Sequence, residues 1–354
     1  MVCSNYPTVR GLYGAITGTE LHRLNWPVGE LGLSDLYSRK RKGWCIVVAD
    51  DHGPEYVPCT AGAAKTVPVQ YCGFGEPTTL LQKALHRAKR IAPTSQIVVT
   101  VRQENRENWE PALWHIRPER RFVSDTRATA PLATLAAVLS IAAESVSNVV
   151  TLLPARCFVG DEWRLYEALK RLQVTLPEIP EGVGTLGMVD IEDGIDEDYL
   201  LPGESRMGPG SPVQAIARRP TAWVVRHLRQ HGAMVASGIL TGYAGSFAKH
   251  ISKYWPGDLK VLQKSKRIGP DGENRFAAGV EREIPRSLLR SPRWYPPTLP
   301  QRALRVHRCG WRGLHTARAV ARISASCPPM IGSLSHFQTM PEFQSRPDFD
   351  LACI

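Results

Sequence analysis

Arg121–Val159 reads RFVSDTRATAPLATLAAVLSIAAESVSNVVTLLPARCFV, a turn, a helix, a strand and a loop in succession. Thr129-Ala130-Pro131 opens the helix, because proline tolerates the first turn, where its missing N–H costs nothing. Leu132, Leu135, Ala136, Leu139 and Ala143 recur at three- and four-residue spacing and give one broad apolar face. Asn148 is expected to end that helix. Val149-Val150-Thr151-Leu152-Leu153 is then a short apolar run of the kind that forms a buried central strand. Pro154 stops it and leaves Ala155-Arg156-Cys157 at its carboxyl end. In open α/β sheets ligands bind at that edge, which makes Arg156 the residue to explain.

The same pattern extends in both directions. Trp44–Ala49 reads as a buried strand, broken at once by Asp50-Asp51-His52-Gly53-Pro54. Residues 78–91 form an amphipathic helix with Leu80, Leu81, Ala84, Leu85, Ala88 and Ile91 on one side. Pro93 ends it, and Gln96–Val101 is the next buried strand. Strand, helix, strand, helix, strand in this order predicts parallel pairing through right-handed crossovers. Downstream, helices are expected at Glu162–Leu172, from Pro220 to a Gly232 cap, and at Tyr243–Tyr254, with a short strand at Val235–Leu240. Residues 177–212, rich in Pro, Gly, Asp and Glu, read as hairpins and loops beside the sheet. Arginines and prolines dominate from Lys264 to Arg322.

Three regions follow: an N-terminal extension (1–42) ending in the basic run Ser38-Arg39-Lys40-Arg41-Lys42, one α/β domain (43–325), and a tail of weak periodicity (326–354). The chain has 354 residues, 43% hydrophobic and 22% charged, and a formal charge of +11, which favours anionic partners. Its eight cysteines form no C-x-x-C pair and no zinc-ligand spacing. No apolar run is long enough to span a bilayer. A reduced, cytoplasmic chain is the expectation.

With its elements in this order, the sequence resembles bacterial sugar-1-phosphate nucleotidyltransferases, nearest to mannose-1-phosphate guanylyltransferases. The similarity runs from about Trp44 to Arg322. It is carried by residues 67–93 (VPVQYCGFGEPTTLLQKALHRAKRIAP), 126–159, 217–239 (ARRPTAWVVRHLRQHGAMVASGI) and, more weakly, 309–320 (CGWRGLHTARAV). The resemblance implies a Rossmann-like α/β fold with a mixed, mostly parallel central sheet flanked by helices. It also implies transfer of a nucleotidyl group from GTP to a sugar 1-phosphate, with magnesium present.

The motif residues themselves depart from the family. Its glycine-rich loop, G-G-x-G-T-R-L, lets backbone N–H groups approach the phosphates. Here that place reads Asp50-Asp51-His52-Gly53-Pro54-Glu55-Tyr56, so two glycines are carboxylates and the arginine is Glu55. The P-K-Q element is Pro68-Val69-Gln70, without its lysine. The P-S-D-H pattern that supplies a metal-binding aspartate is Pro154-Ala155-Arg156-Cys157, with Arg156 at the aspartate position. The E-K-P and W-N-S-G elements, which face the sugar phosphate, are Arg218-Arg219-Pro220 and Val235-Ala236-Ser237-Gly238. Trp311 is retained, but the acid that follows it in the family is replaced by Arg312-Gly313.

An aspartate-to-arginine exchange alters the local charge by two units, each worth roughly 4 kcal/mol at about 4 Å and an effective dielectric near 20. That is enough to expel a magnesium ion. The sequence therefore supports a catalytically degenerate homologue with no metal ligands, its substituted residues read as surface changes, with a residual role in binding a nucleotide, a sugar phosphate or a partner protein. Two alternatives stand beside it. One is an active guanylyltransferase in which Arg156, Arg218 and Arg219 bind phosphates and Asp50, Asp51 and His52 hold a relocated Mg2+. The other is a nucleic-acid or anionic-surface binder using Arg286, Arg290, Arg293, Arg302, Arg305 and Arg308, ranked last because no recognition motif accompanies them.

Overall fold

The computed structural model describes residues 42–50, 67–126, 129–189, 191, 197–204, 210–254, 256–279, 301–314 and 316–326. Apart from Lys42 and Ser326, the expected N-terminal extension and C-terminal tail lie outside these residues. So do Asp51, His52, Gly53 and Glu55 of the altered loop, and Arg286, Arg290 and Arg293.

Four parallel strands form the centre: β1 (Gly43–Val48), β2 (Ile97–Arg102), β3 (Arg121–Ser124) and β4 (Val149–Pro154), side by side in the order β3-β2-β1-β4. Their side chains alternate between two apolar layers, as a period of two requires. Cys45 and Val47 enter one layer and Trp44 and Ile46 the other. Because both faces are covered, such strands are apolar without a break, which is why they stand out in the sequence.

Helices fill the two layers. On one face lie α1 (Leu80–Ile91) and, after the two-residue β5 (Cys157–Phe158), α3 (Glu162–Val174). The amino end of α1 is closed by a capping box, in which Gln82 N–H donates to Thr79 Oγ1 and Thr79 N–H to Gln82 Oε1. On the other face lies α2 (Ala130–Glu144). It is buried on nearly every side rather than along one stripe, because α5 (Ala244–Tyr254) and α6 (Pro256–Ser265) pack on its outer surface. It also ends at Glu144, four residues before Asn148. The Asn148 side chain instead ties the turn down, accepting from Lys42 N–H and donating to the Ile141 carbonyl.

The sheet continues past β4 through β9 (Met234–Tyr243), β6 (Val183–Met188), β12 (Gln301–Val306), β8 (Ser211–Ala217) and β7 (Tyr199–Pro202); β11 (Asn274–Phe276) and β10 (Lys266–Ile268) extend it beyond β3. Only β8, β9 and β10 run against the other strands of this sheet. The mixed, mostly parallel sheet flanked by helices is thus present. One expectation needs correction. Residues 177–212 do open an antiparallel pair, β7 with β8, but they do not all lie beside the sheet, since β6 is a fully buried interior strand. The arginine-rich region also supplies an interior strand, β12, paired with β6 on one side and β8 on the other.

β7 also pairs with β9, on the flank that β4 vacates after Pro154. The strands β9, β6, β12, β8 and β7 therefore close into a ring. This brings residues 197–199 next to the carboxyl end of β4.

Candidate functional site at the carboxyl edge of the sheet

The site is built where β1, β2 and β4 end and β9 begins. At the end of β1, Asp50 is buried and accepts a hydrogen bond from Thr100 Oγ1 at 2.8 Å. Pro68-Val69-Gln70 lies against the same strand end: Gln70 is buried and its Nε2 donates to the Ala49 carbonyl at 2.8 Å. Val69 packs into a small apolar cluster with Cys72, Phe74, Leu80, Leu314, Val320 and Ile323, which fastens the C-terminal helix α7 (Ala317–Ser326) over this loop. Burial, first of all, raises the Tyr71 hydroxyl pKa; Arg102 opposes the shift, while Asp50 and Glu104 add to it. Cys45, Cys157 and Cys309 are free and buried.

At the end of β4, Ala155 N–H continues the pairing with the Val48 carbonyl, and Arg156 follows it into the interior. Arg156 is 1% exposed and among the largest fully buried side chains. The reading of Arg156 as a surface substitution is therefore wrong. The segment around Trp311 pairs with the loop that carries it. There β13 (Arg312–Gly313) pairs antiparallel with β5, setting Gly313 against Cys157 and Arg312 against Phe158, and Leu314 N–H donates to the Arg156 carbonyl at 3.1 Å. Trp311 is itself buried. The crossing is close because Gly310, at φ +61°, lies on Gly160, where a Cβ would come within 3.1 Å of the Gly160 Cα.

This loop is also held from α1. Arg87 is buried and makes a two-pronged ion pair with Glu162, Nε to Oε2 at 2.8 Å and Nη2 to Oε1 at 2.7 Å. Its Nη1 reaches the Cys157 carbonyl at 3.5 Å and sulfur at 3.4 Å.

The four residues assigned to the sugar phosphate are brought to the same neighbourhood. Ser237 is buried, and its Oγ accepts from Ile239 N–H at 3.1 Å. Gly238 has φ +80° and lies beside Pro154, with a hypothetical Cβ 3.3 Å from the ring. Arg218 and Arg219 are exposed on the turn into α4 (Ala222–Gln230). Arg219 has φ +41°, and its N–H donates to Asp198 Oδ1 at 3.2 Å. Asp198 is buried and its carbonyl accepts from Ala236 N–H at 2.8 Å.

Sequence reasoning missed Asp198 and its neighbour Glu197, both buried. They precede β7, whose four residues lie in a stretch read as hairpins and loops without a placed strand; the signal available is the apolar Tyr199-Leu200-Leu201 that follows them.

The magnesium ion implied by the resemblance would need acids at positions 156 and 312–313. Those positions meet in space, but they carry a buried guanidinium on one side and Arg312-Gly313 on the other. They do not fit a divalent cation. Among the described residues, no three His, Cys, Asp or Glu side chains gather into a metal-binding group.

The chain is similar to the crystal structure of mannose-1-phosphate geranyltransferase from Thermus thermophilus, with a TM-score of 0.60 and 20% identity, over 80% of this chain and 79% of that one. It is also similar to mannose-6-phosphate isomerase from Helicobacter pylori, with a TM-score of 0.53 and 12% identity, over 77% and 99%. The fold is the Rossmann-like nucleotidyltransferase fold. At these identities the likeness is one of fold alone. No protein-family model and no curated protein matches the sequence. No helix among the described residues is long and apolar enough to cross a membrane.

Proposed function

We propose that this chain is a mannose-1-phosphate guanylyltransferase-like protein that has lost nucleotidyl transfer and keeps its carboxyl sheet edge for binding a nucleotide or sugar phosphate. One observation carries this reading. The two segments that the resemblance aligns with metal-holding acids are more than 150 residues apart in sequence, yet they pair as β5 and β13. Their convergence supports the alignment, and both have lost the acid. In a site where transfer depends on neutralising the charge of a triphosphate, a buried arginine at position 156 repels the cation it would need.

The ligand class rests on the exposed Arg218-Arg219 turn, held against Asp198 beside Ser237 and Gly238, since guanidinium groups pair well with phosphate oxygens. Both solved structures named above carry a mannose phosphate in their names, in keeping with this choice. GTP and a sugar 1-phosphate are the ligands to try, and the cytoplasm is the compartment where they would be met.

The assay combines purified protein, GTP, mannose 1-phosphate and magnesium. No pyrophosphate release above background is expected, while calorimetric titration should detect GTP or mannose 1-phosphate binding that magnesium does not strengthen. Appreciable pyrophosphate release that disappears in Arg156→Ala would overturn the loss of catalysis and establish a rewired active enzyme. That second reading draws on the buried carboxylates of Asp50 and Asp198 at the same edge. Nucleic-acid binding finds less support: Arg302 pairs with Glu178 at 2.5 Å, and Arg305 donates to the Gly232 carbonyl at 3.0 Å.

A further inference from the structure

Helix α4 carries His227 in its last turn, and His231 ends it, both on the exposed side. Residues four apart on a helix lie on one face, and the two imidazoles lie together here, with ring centroids 4.3 Å apart. His231 Nδ1 is 2.9 Å from the His227 carbonyl. Because a carbonyl can only accept, Nδ1 carries the proton in that contact and Nε2 of the exposed ring keeps its lone pair. A backbone carbonyl fixing one ring nitrogen so that the other can coordinate is the usual arrangement behind a ligating histidine. Two nearby cations are engaged elsewhere: Arg229 donates to the Ile191 carbonyl at 2.5 Å and to the Tyr199 hydroxyl, and Arg305 donates to the Gly232 carbonyl.

From this geometry we infer that His227 and His231 form a bidentate site for a borderline divalent transition ion such as Ni2+, Cu2+ or Zn2+, separate from the carboxyl-edge site. The donor set is two neutral imidazoles, which suit these ions and not Mg2+ or Ca2+. A metal–nitrogen length of about 2.0–2.1 Å to each ring requires the His227 ring to turn toward the held His231 ring, with water completing the coordination. The ion would clamp the last turn of α4 to the residue that ends it, just before Gly232 and β9.

The test is titration of the full chain with NiCl2 at pH 7.5, followed by calorimetry, for the unaltered protein and for His227→Gln and His231→Gln. Both positions are exposed, so the variants should fold, as circular dichroism will verify. One equivalent of Ni2+ should bind, and each variant should weaken it by at least the roughly tenfold that even an outer partner of a ligand is worth. MgCl2 should produce no heat at the same concentration. Absence of Ni2+ binding, or binding that both variants leave unchanged, would overturn the proposal. Neither result bears on nucleotide binding, which is read separately.

Discussion

The ion pair between Arg87 and Glu162 joins α1 to α3 beneath the loop that carries Arg156, and its two members should not be equally expensive to remove. The Arg87 side chain is 5% exposed and that of Glu162 35%. Glu162→Ala strands a buried guanidinium whose remaining contacts are the Cys157 carbonyl and sulfur at 3.5 and 3.4 Å; a buried charge left without its partner costs about 3–5 kcal/mol. Arg87→Met keeps most of the apolar stem in place and leaves a carboxylate that can turn to water, a loss nearer 1–2 kcal/mol on the scale of partly exposed pairs. The double variant removes the stranded charge, so it should be more stable than Glu162→Ala alone, with a coupling of about 2 kcal/mol. Urea unfolding measures this directly, provided the slope m is equal across the four proteins and only the midpoints move. The reasoning is refuted if Arg87→Met costs as much as Glu162→Ala, or if the two losses simply add.

Other perturbations test separate parts of the structure. Gly238→Ala, at φ +80° and 3.3 Å from the Pro154 ring, should cost about 1–3 kcal/mol from left-handed strain, seen as a lower Tm. Thr79→Ala removes the capping box of α1 and should cost about 1 kcal/mol, whereas Thr79→Ser should retain most of it. Burial, with Lys253 adding to it, lowers the pKa of His250 from 6.5 to about 4. Between those values the unfolded chain takes up a proton that the folded chain refuses, so stability should fall as pH drops from 6.5 to 4. Discounted for partial solvent screening, the loss is about 1–2 kcal/mol. His86 and His115, also lowered mainly by burial, act in the same direction. Unfolding midpoints across this pH range should flatten in His250→Gln; an unchanged slope there would rule out His250 as the source.

The strands that are legible in sequence are those covered on both faces, β1, β2 and β4, because continuous apolar runs leave few other options. β6 is not legible. Its Gly184 and Gly187 weaken a strand pattern, yet the structure needs them small, since a Cβ would approach the side chains of Leu172 and Met234 to within 2.7 and 2.6 Å. β12 is obscured because Arg302 and Arg305 are interspersed with buried Ala303, Leu304 and Val306, and their charge masks the apolar positions between them. The end of α2 is easily misjudged at Asn148, where a side chain bonding to the helix from outside looks in sequence like its last residue. At the site, Arg156, Ser237, Gly238, Arg218 and Arg219 could be named from motif positions, but Asp198 could not. It reaches the site through the pairing of β7 with β9, a contact between residues that no local pattern links.

The burial of Arg156 bears on whether the altered edge is a drifted surface or a settled structure. A guanidinium placed in the interior without compensation would be strongly destabilising, so random loss of a metal-binding aspartate should favour a small or neutral replacement. Here the backbone around the arginine is fixed by a segment that pairs with its own loop, with Leu314 N–H on its carbonyl, Gly310 packed on Gly160, and Arg87 and Glu162 bracing the residue after it. Where the resemblance expects an acid after Trp311, the strand that pairs with this loop has Arg312-Gly313. Had only one of the two positions changed, the other carboxylate could still have drawn a cation to the edge. On the proposed alignment both positions have changed, and the backbone that the family is expected to use for holding a metal carries a buried arginine here. On that reading neither segment offers a metal ligand, which is why binding of GTP or mannose 1-phosphate without magnesium, rather than residual turnover, is the measurement on which it depends.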